Sequence, residues 1–331
     1  MYIEPFELYL IKKECFPKLH IINYEIEINT DRFESLFPEN LISIIDTIRI
    51  NRIDSDEKEE IAIRLDNLAY TSSIHINTID ISIYDLAYYF PHLKELLEKN
   101  LITFDYLDID SSRSENIKVL DCIENYKQNI DNLYIKFNDD DQGEINITNS
   151  LERFFKTNIL EHINYLDVSF NENISIEYLK LIPTIFNNNK FNTIHKLKIY
   201  LHIKEDSSSE YLTIYENILE KIISKASIVS IRYCTMTFIN RLIPKSCFHN
   251  TTQLFIDIND IPDDDFLKPY TTDNLPQLKY IKIYINKDTK WWSSFIKAFN
   301  EYIHKNNYQL SSTFEFIDCC YNNSYIYHPN S

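Results

Sequence analysis

Glycine is almost absent from this chain, since Gly143 is the single one among 331 residues. Loops that cradle phosphate groups need several glycines, because the backbone must approach the ligand closely and adopt positive φ angles. The strand-to-helix turn that presents a nucleophile in a GxSxG motif needs two glycines. The composition therefore excludes Rossmann, Walker-type and GxSxG sites, and we predict a protein that is not an enzyme and uses no cofactor.

The cysteines lack the spacing of a metal site or a redox motif. None of them forms a CxxC pair, and no group of histidines and cysteines has the spacing of zinc ligands. The six are Cys15, Cys122, Cys234, Cys247, Cys319 and Cys320. We therefore expect no metal site, and reduced thiols of the kind found in the cytoplasm or the nucleus.

Long apolar runs are also missing. No run of about 18 apolar residues occurs, and the N-terminal segment lacks the basic start and apolar core of a signal peptide. The net charge is −17, which repels both nucleic-acid phosphates and anionic membranes. We therefore expect a partner that is neither a nucleic acid nor a membrane.

A short apolar pattern recurs along the chain. Its clearest copy, residues 163–171, reads apolar-x-x-apolar-x-apolar-x-x-Asn, and three further copies end at Asn138, Asn259 and Asn286. Weaker copies keep the apolar positions without the asparagine. The second apolar residues of all copies are Ile22, Ile48, Ile79, Leu107, Leu133, Leu166, Leu197, Ile231, Leu254, Ile281 and Phe314. Their average spacing of about 29 residues lies at the upper end of the range for short strand-plus-helix repeats.

Each copy predicts a short strand followed by a helix. The alternating apolar residues place two side chains on one strand face, and isoleucine favours extended backbone. The intervening residues show helical spacing, most clearly in 207–225 and 289–305, and Ser150 is a suitable N-cap for a helix over 151–159. Strands that alternate with helices predict a parallel sheet. A doubly wound sheet would have fully apolar strands and a glycine-rich first turn, so we favour a solenoid.

The pattern resembles the LxxLxLxxN signature of leucine-rich repeat proteins. The resemblance implies an α/β solenoid shaped like a horseshoe, with a parallel sheet on the concave side and helices on the convex side. It implies one domain of about eleven units over residues 1–331, with an N-terminal cap at 1–30 and a C-terminal cap and tail at 306–331. It also implies a ladder in which the amides of Asn138, Asn171, Asn259 and Asn286 bond to the backbone of neighbouring turns.

The same resemblance implies that residues flanking the inward apolar pair face the concave surface and contact a protein partner. Many of them are tyrosine or arginine, which are enriched at binding hot spots. Their charge changes from acidic near 105–167 to basic near 195–232 and 279–282, which would orient a bipolar protein partner. The predicted contact residues are Tyr106, Asp108, Tyr134, Phe137, Tyr165, Asp167, Phe170, Lys196, Lys198, Tyr200, Arg232, Phe255, Lys279 and Tyr280.

Our leading expectation is a monomeric, non-catalytic scaffold for protein–protein interaction, and two alternatives stay open. The segment Phe37-Pro38-Glu39-x-Leu41-x-x-Ile44 resembles the start of an F-box, which implies a substrate-recognition subunit of a ubiquitin ligase. A leucine-rich repeat protein that activates a GTPase would need an arginine in the early repeats. Arg49 and Arg52 are the candidates for that role.

Overall fold

The computed structural model describes residues 24–28, 48–53, 106–111, 120, 130–138, 144–187, 189–204, 207–259, 268–271, 273–285, 296–297, 299–301, 313–318 and 323–328. This part of the chain is α/β. Its strands are β1 (Tyr24–Ile28), β2 (Ile48–Ile53), β3 (Tyr106–Asp110), β4 (Asn132–Phe137), β5 (His162–Phe170), β6 (Thr193–Tyr200), β7 (Ala226–Cys234), β8 (Gln253–Ile258), β9 (Tyr280–Ile285), β10 (Thr313–Asp318) and β11 (Asn323–Tyr327).

Within the described residues the helices are short. They are α1 (Glu144–Phe155), α2 (Ile176–Leu179), α3 (Ile182–Asn187), α4 (Ser209–Ile223) and α5 (Met236–Leu242), with 3-10 turns at Asn158–Leu160 and Ile243–Lys245. The best-defined helix of the sequence, over 207–225, is confirmed as α4, and its N-cap Ser208 accepts a hydrogen bond from the Tyr211 N–H. Residues 296–297 and 299–301 are helical, as the pattern over 289–305 predicts.

Strands β3 to β11 form one sheet in the order of the chain. Every neighbouring pair from β3 to β10 is parallel, whereas β11 runs antiparallel to β10. Strands β1 and β2 form a separate parallel pair. Parallel neighbours in chain order require a crossover connection between each strand and the next. The predicted α/β class with parallel strands is therefore confirmed.

The second apolar residues of the recurring pattern lie opposite one another across this sheet, except that in β7 the residue two positions earlier takes this place. The paired residues are Leu107, Leu133, Leu166, Leu197, Val229, Leu254 and Ile281, and the backbone of Phe314 continues the row. A second row runs parallel to it through Ile109, Ile135, Val168, Ile199, Ile231, Ile256 and Ile283. All members of both rows whose side chains the structure describes are buried. These rows form the base of a single apolar core, which the helices complete.

The helices pack against the apolar face of the sheet. The Phe137 ring of β4 contacts Phe186 of α3 in an edge-on arrangement, with 6.1 Å between ring centroids. The Phe170 ring of β5 meets Tyr215 of α4 at 5.0 Å, and the Tyr215 hydroxyl donates to the Leu201 carbonyl. The opposite face keeps access to solvent, because alternate residues of β4, β8 and β9 are only partly buried.

Two predicted contact residues lie in the core. Phe137 and Phe170 are completely buried and stack on each other with their ring centroids 5.3 Å apart. The expectation that they face the partner was wrong. Strands β4 and β5 each continue for two residues beyond the apolar pair of the motif. Strict alternation then places both rings on the same face as Leu133 and Leu166.

Strand β7 has a register that differs by two residues from the predicted one. Val229, rather than Ile231, lies opposite Leu197 and Leu254. Ile228, Val229 and Ile231 are all apolar and β-branched, so the spacing of the motif alone does not choose between the two registers. At the start of the chain a shift of two residues in the opposite direction places Tyr24, rather than Ile22, opposite Ile48.

Three further local expectations are corrected. Helix α1 begins at Glu144, so Ser150 lies within the helix and is not its N-cap. The interval between β7 and β8, where the spacing suggests a turn, contains α5, which Thr235 caps by accepting from the Phe238 N–H. The asparagine side chains also do not form the expected ladder in the described part of the chain. The links between turns at Asn171 and Asn259 are backbone bonds from their N–H groups, at 2.9 and 3.0 Å.

The side chains of Asn138 and Asn171 make contacts other than those of the expected ladder. The amide of Asn138 donates to the carboxylate of Asp110, at 3.0 Å to one oxygen, so it contacts a side chain of the preceding turn. The Asn171 amide oxygen accepts from the Asn173 N–H of its own turn. Asn286 lies outside the described residues.

Because glycine is scarce, other residue types adopt the left-handed backbone conformation. Among the described residues, φ is positive at His202 (53°), Tyr233 (55°) and Ser246 (62°). His202 lies just after β6, and Tyr233 lies near the end of the neighbouring strand β7. Their rings stack with 4.8 Å between the centroids. Ser246 is exposed and ends the 3-10 turn after α5. A side chain in this conformation costs about 1 kcal/mol, because its Cβ approaches a carbonyl oxygen.

Replacing one phenylalanine on each face of the sheet tests the register. We expect Phe170→Ala to lower the free energy of unfolding by about 3–5 kcal/mol, because it leaves a cavity in the core. The matched change Phe255→Ala, on the polar face of β8, should cost about 1 kcal/mol. Urea unfolding followed by circular dichroism measures both. Equal losses for the two variants would contradict the assignment of faces.

Glycine should stabilise the chain at Ser246. We expect Ser246→Gly to raise the free energy of unfolding by about 0.5–1 kcal/mol, because glycine removes the Cβ contact of the left-handed conformation. The control Asn217→Gly, at an exposed position inside α4, should lower it by a similar amount. Thermal unfolding of both variants decides the point, and a destabilised Ser246→Gly would refute it.

Candidate functional site

Three rows of side chains cross the solvent-accessible face of the sheet, which we call the polar face. Strand pairing places their members about 4.8 Å apart, the distance between neighbouring strands. The first row contains Asn132, Tyr165, Lys196, Ile228, Gln253 and Tyr280; the second contains Tyr134, Asp167, Lys198, Ser230, Phe255, Lys282 and Glu315; the third contains Lys136, Ser169, Tyr200 and Arg232 and resumes at Asp257 and Tyr284. Charged and aromatic side chains are interspersed along these rows.

A groove crosses the rows obliquely from β5 to β9. Its volume is about 250 Å³. The residues that line it are Tyr165, Lys196, Lys198, Ser230, Arg232, Phe255, Ile256, Asp257 and Tyr284. Five of the predicted contact residues are therefore brought together in one place: Tyr165, Lys196, Lys198, Arg232 and Phe255. Whether a partner binds there stays a prediction.

The predicted contact set omits three polar residues of the groove, Ser230, Asp257 and Tyr284. Asp257 and Tyr284 lie two residues after Phe255 and Lys282, so strict alternation along β8 and β9 identifies them. Ser230 lies next to Ile231, and a shift of two residues along β7 leaves it on the same face. The signal was therefore present in the sequence for all three.

The cations of the groove lie against aromatic rings. The Lys196 ammonium is 5.5 Å from the centroid of the Tyr165 ring. The Tyr200 ring contacts two cations, the Lys198 ammonium at 4.6 Å and the Arg232 guanidinium carbon at 5.7 Å. Such contacts attract the cation to the negative face of the ring and restrict a side chain that would otherwise move freely.

Asp167 lies beneath these cations and is almost inaccessible to solvent. Its Oδ2 accepts a hydrogen bond from the Tyr165 hydroxyl at 2.9 Å and lies 3.7 Å from the Lys198 ammonium. Burial raises the pKa of Asp167, and this outweighs the opposite effects of Tyr165, Lys198 and Arg232. Asp167 thus belongs to the polar face, as predicted, but it supports the groove from below and presents little surface to a partner.

Asp257 has a similar place at the other end of the groove. Burial raises the pKa of its carboxyl group, and the nearby Arg232 acts in the opposite direction. The groove therefore combines three cations, Lys196, Lys198 and Arg232, with two partly or fully buried carboxylates. Lys196 is exposed, Asp167 is buried, and the other three groups are partly buried.

A second polar cluster lies beside the groove on β9 and β10. The Lys282 ammonium is 3.0 Å from a carboxylate oxygen of Glu315, and the Tyr280 hydroxyl donates to the same carboxylate. Burial alone would raise the pKa of Glu315, but the hydrogen bonds from Tyr280 and Lys282 lower it. Burial and the neighbouring Glu315 raise the pKa of Tyr280. The charges of this cluster compensate one another, and the Phe255 and Tyr280 rings link it to the groove at 5.8 Å.

The remaining predicted residues lie apart from the groove or outside the description. Tyr134 is half-buried on β4, and Lys279 is exposed just before β9. Tyr106 and Asp108 belong to β3, but their side chains are outside the described residues. The same is true of the side chains of Arg49 and Arg52 on β2, and the F-box-like segment 37–44 lies wholly outside.

Metal-binding clusters and membrane-spanning helices are absent from the described ranges. No group of three or more histidine, cysteine, aspartate or glutamate residues could hold a metal ion in that part of the chain. None of its helices has both the length and the apolar character that crossing a membrane requires. No protein-family model matches the sequence, and no curated protein matches it either.

The raised pKa of Asp167 predicts a pH dependence of stability. The folded chain binds a proton at Asp167 more readily than the unfolded chain does, so this group favours folding as the pH falls towards the unfolded value of about 3.9. At pH 7 its charged form is unfavourable in the fold. We therefore expect Asp167→Asn to be more stable than the wild type at pH 7, and this advantage to shrink as the pH falls towards 4.

Urea unfolding of both proteins between pH 7 and pH 4 measures this difference. Asp131→Asn is the matched control, because Asp131 is exposed and the change in charge is the same. An advantage of Asp167→Asn that grows on acidification would show that the buried carboxylate stabilises the fold in its charged form.

Proposed function

We propose that this chain is a leucine-rich-repeat-like solenoid that acts as a non-catalytic scaffold and binds a protein partner on the polar face of its sheet. The observation that carries the proposal is a parallel sheet with one solvated face. Parallel sheets are usually covered on both faces, and their strands are then apolar throughout. Here alternate residues of β4, β8 and β9, which are polar, charged or aromatic, are only partly buried.

The arrangement of the helices supports a solenoid. A repeat array is stabilised by contacts between neighbouring units. Along the described chain, α1 contacts α3, α3 contacts α4, and α4 contacts α5. Each strand likewise pairs with the strands before and after it in the chain. Each strand also contributes one apolar residue to each core row, so the core has the same strand-by-strand pattern. Under this proposal the polar face is the concave side of the stack.

The chemistry of the polar face supports a protein as the partner. The groove on this face has a volume of about 250 Å³. Most pockets for small molecules and cofactors are larger, at about 300–1,000 Å³. Tyrosine and arginine, which line this groove, contribute much of the energy at protein interfaces. The net charge of −17 disfavours a nucleic acid.

Affinity purification followed by mass spectrometry tests the proposal. The tagged wild type is compared with Lys196→Glu/Lys198→Glu, which reverses two charges in the groove. The control Lys156→Glu/Lys180→Glu makes the same change in net charge at exposed positions near the ends of α1 and α2. We expect at least one partner that is lost from the groove variant and kept by the control.

Circular dichroism of all three proteins establishes that each is folded. If every partner of the wild type stays bound to the folded groove variant, the polar face is not the binding surface and the proposal fails.

A further inference from the structure

The groove concentrates positive charge. The chain as a whole carries a net charge of −17, yet three cations meet in this groove, on the adjacent strands β6 and β7. Of the carboxylates beside them, Asp167 is buried and Asp257 is partly buried, whereas Lys196 is exposed and Lys198 and Arg232 are partly buried. The accessible positive charge attracts an acidic ligand to this place and orients it there.

Two of the three cations remain available for a partner. Lys198 already lies near the Asp167 carboxylate. Within the described part of the chain, Lys196 and Arg232 have no carboxylate oxygen at ion-pair distance, and their contacts are the faces of tyrosine rings. The rings hold these cations in place without neutralising them. Binding a ligand at these held cations costs less side-chain entropy of the protein than binding at flexible side chains would.

The spacing of Lys196 and Arg232 matches an extended chain. Lys196 of β6 pairs with Ile228 of β7, and Arg232 lies four residues further along β7. With a rise of about 3.3 Å per residue and about 4.8 Å between strands, their Cα atoms are separated by about 14 Å. Side chains at positions i and i+4 of an extended peptide point to the same side and lie about 13 Å apart.

The aromatic residues define how such a segment would lie. Tyr165 is at one end of the groove, and Phe255 and Tyr284 are at the other. Four strand spacings separate β5 from β9, which corresponds to about 19 Å across the sheet, and the oblique path is somewhat longer. About seven extended residues cover that distance. The volume of about 250 Å³ admits only a few of their side chains, so the backbone lies over the groove.

We propose that the groove binds an extended acidic segment of about seven residues from the partner protein, with carboxylates at positions i and i+4 facing Lys196 and Arg232. The inference rests on the proposed function, since it names the part of the protein partner that occupies the polar face. A nucleic-acid strand also carries regularly spaced negative charges. The Asp257 carboxylate in the groove and the Asp167 carboxylate beneath it favour a peptide, whose charges can be confined to a few positions.

Fluorescence anisotropy with labelled heptapeptides tests this inference on the full chain. One peptide alternates glutamate with alanine, a second alternates glutamine with alanine, and a third alternates lysine with alanine. We expect the glutamate peptide to bind at least ten-fold more tightly than the other two at low ionic strength. This preference should be lost in about 0.5 M salt, because the contacts are ionic.

Variants identify the residues responsible. Lys196→Gln/Arg232→Gln should reduce binding of the glutamate peptide at least ten-fold. The control Lys156→Gln/Lys180→Gln removes the same two charges from exposed positions on the helical side, and it should bind as the wild type does. Equal binding of the three peptides, or an equal effect of the two double variants, would overturn the inference. Tighter binding of a single-stranded oligothymidine than of the glutamate peptide would overturn it as well.

The two proposals can fail separately. If reversal of Lys196 and Lys198 releases a cellular partner while the glutamate peptide shows no preference, the polar face binds protein but not through an acidic segment. If no partner depends on the polar face, the proposed function itself fails, whatever the peptides do.

Discussion

The packing of apolar side chains in register across a parallel sheet is the constraint on which the rest of this structure depends. Because successive residues of a strand point to opposite faces, a shift of one residue would exchange the buried and the solvated sets. The row from Leu107 to Ile281 shows that seven successive strands keep the same parity. The polar rows follow from it, since every residue between two core positions is placed on the other face.

The groove illustrates how charge is managed on such a surface. Tyr200 contacts Lys198 and Arg232 together, while Asp167 is held below them by the Tyr165 hydroxyl. Lys198 and Arg232 keep partial access to solvent, whereas Asp167 is withdrawn from it. Beside the groove, Lys282 and Glu315 pair directly, and their charges cancel. Two neighbouring parts of one sheet face therefore differ in electrostatic character, although their compositions are similar.

Much of this arrangement could be read from the sequence, and the exceptions have physical causes. The spacing from Leu133 to Leu166 and Leu197 identified the strands, their parallel order and five residues of the groove. The register of β7 could not be chosen, because Ile228, Val229 and Ile231 are all compatible with burial. Phe137 and Phe170 were misplaced, because the pattern does not show where a strand ends.

Other features were hidden for a different reason. The links between turns at Asn171 and Asn259 depend on the backbone, which the identity of a side chain does not report. The groove itself arises from the relative heights of side chains on five strands. Alternation predicts which residues share a face, but it does not predict which of them leave a depression between them.

The reversal of direction at β11 affects how this protein can change in length. A strand that extends the parallel run must lie beside a strand of the same direction, and β11 presents an antiparallel one. Duplication of a strand–helix unit after β11 would therefore not continue the core rows. Insertion or deletion of whole units between β3 and β10 preserves the pairing on both sides. In evolution, new strand–helix units are therefore expected between β3 and β10. The antiparallel pair of β10 and β11 would stay at the end of the sheet.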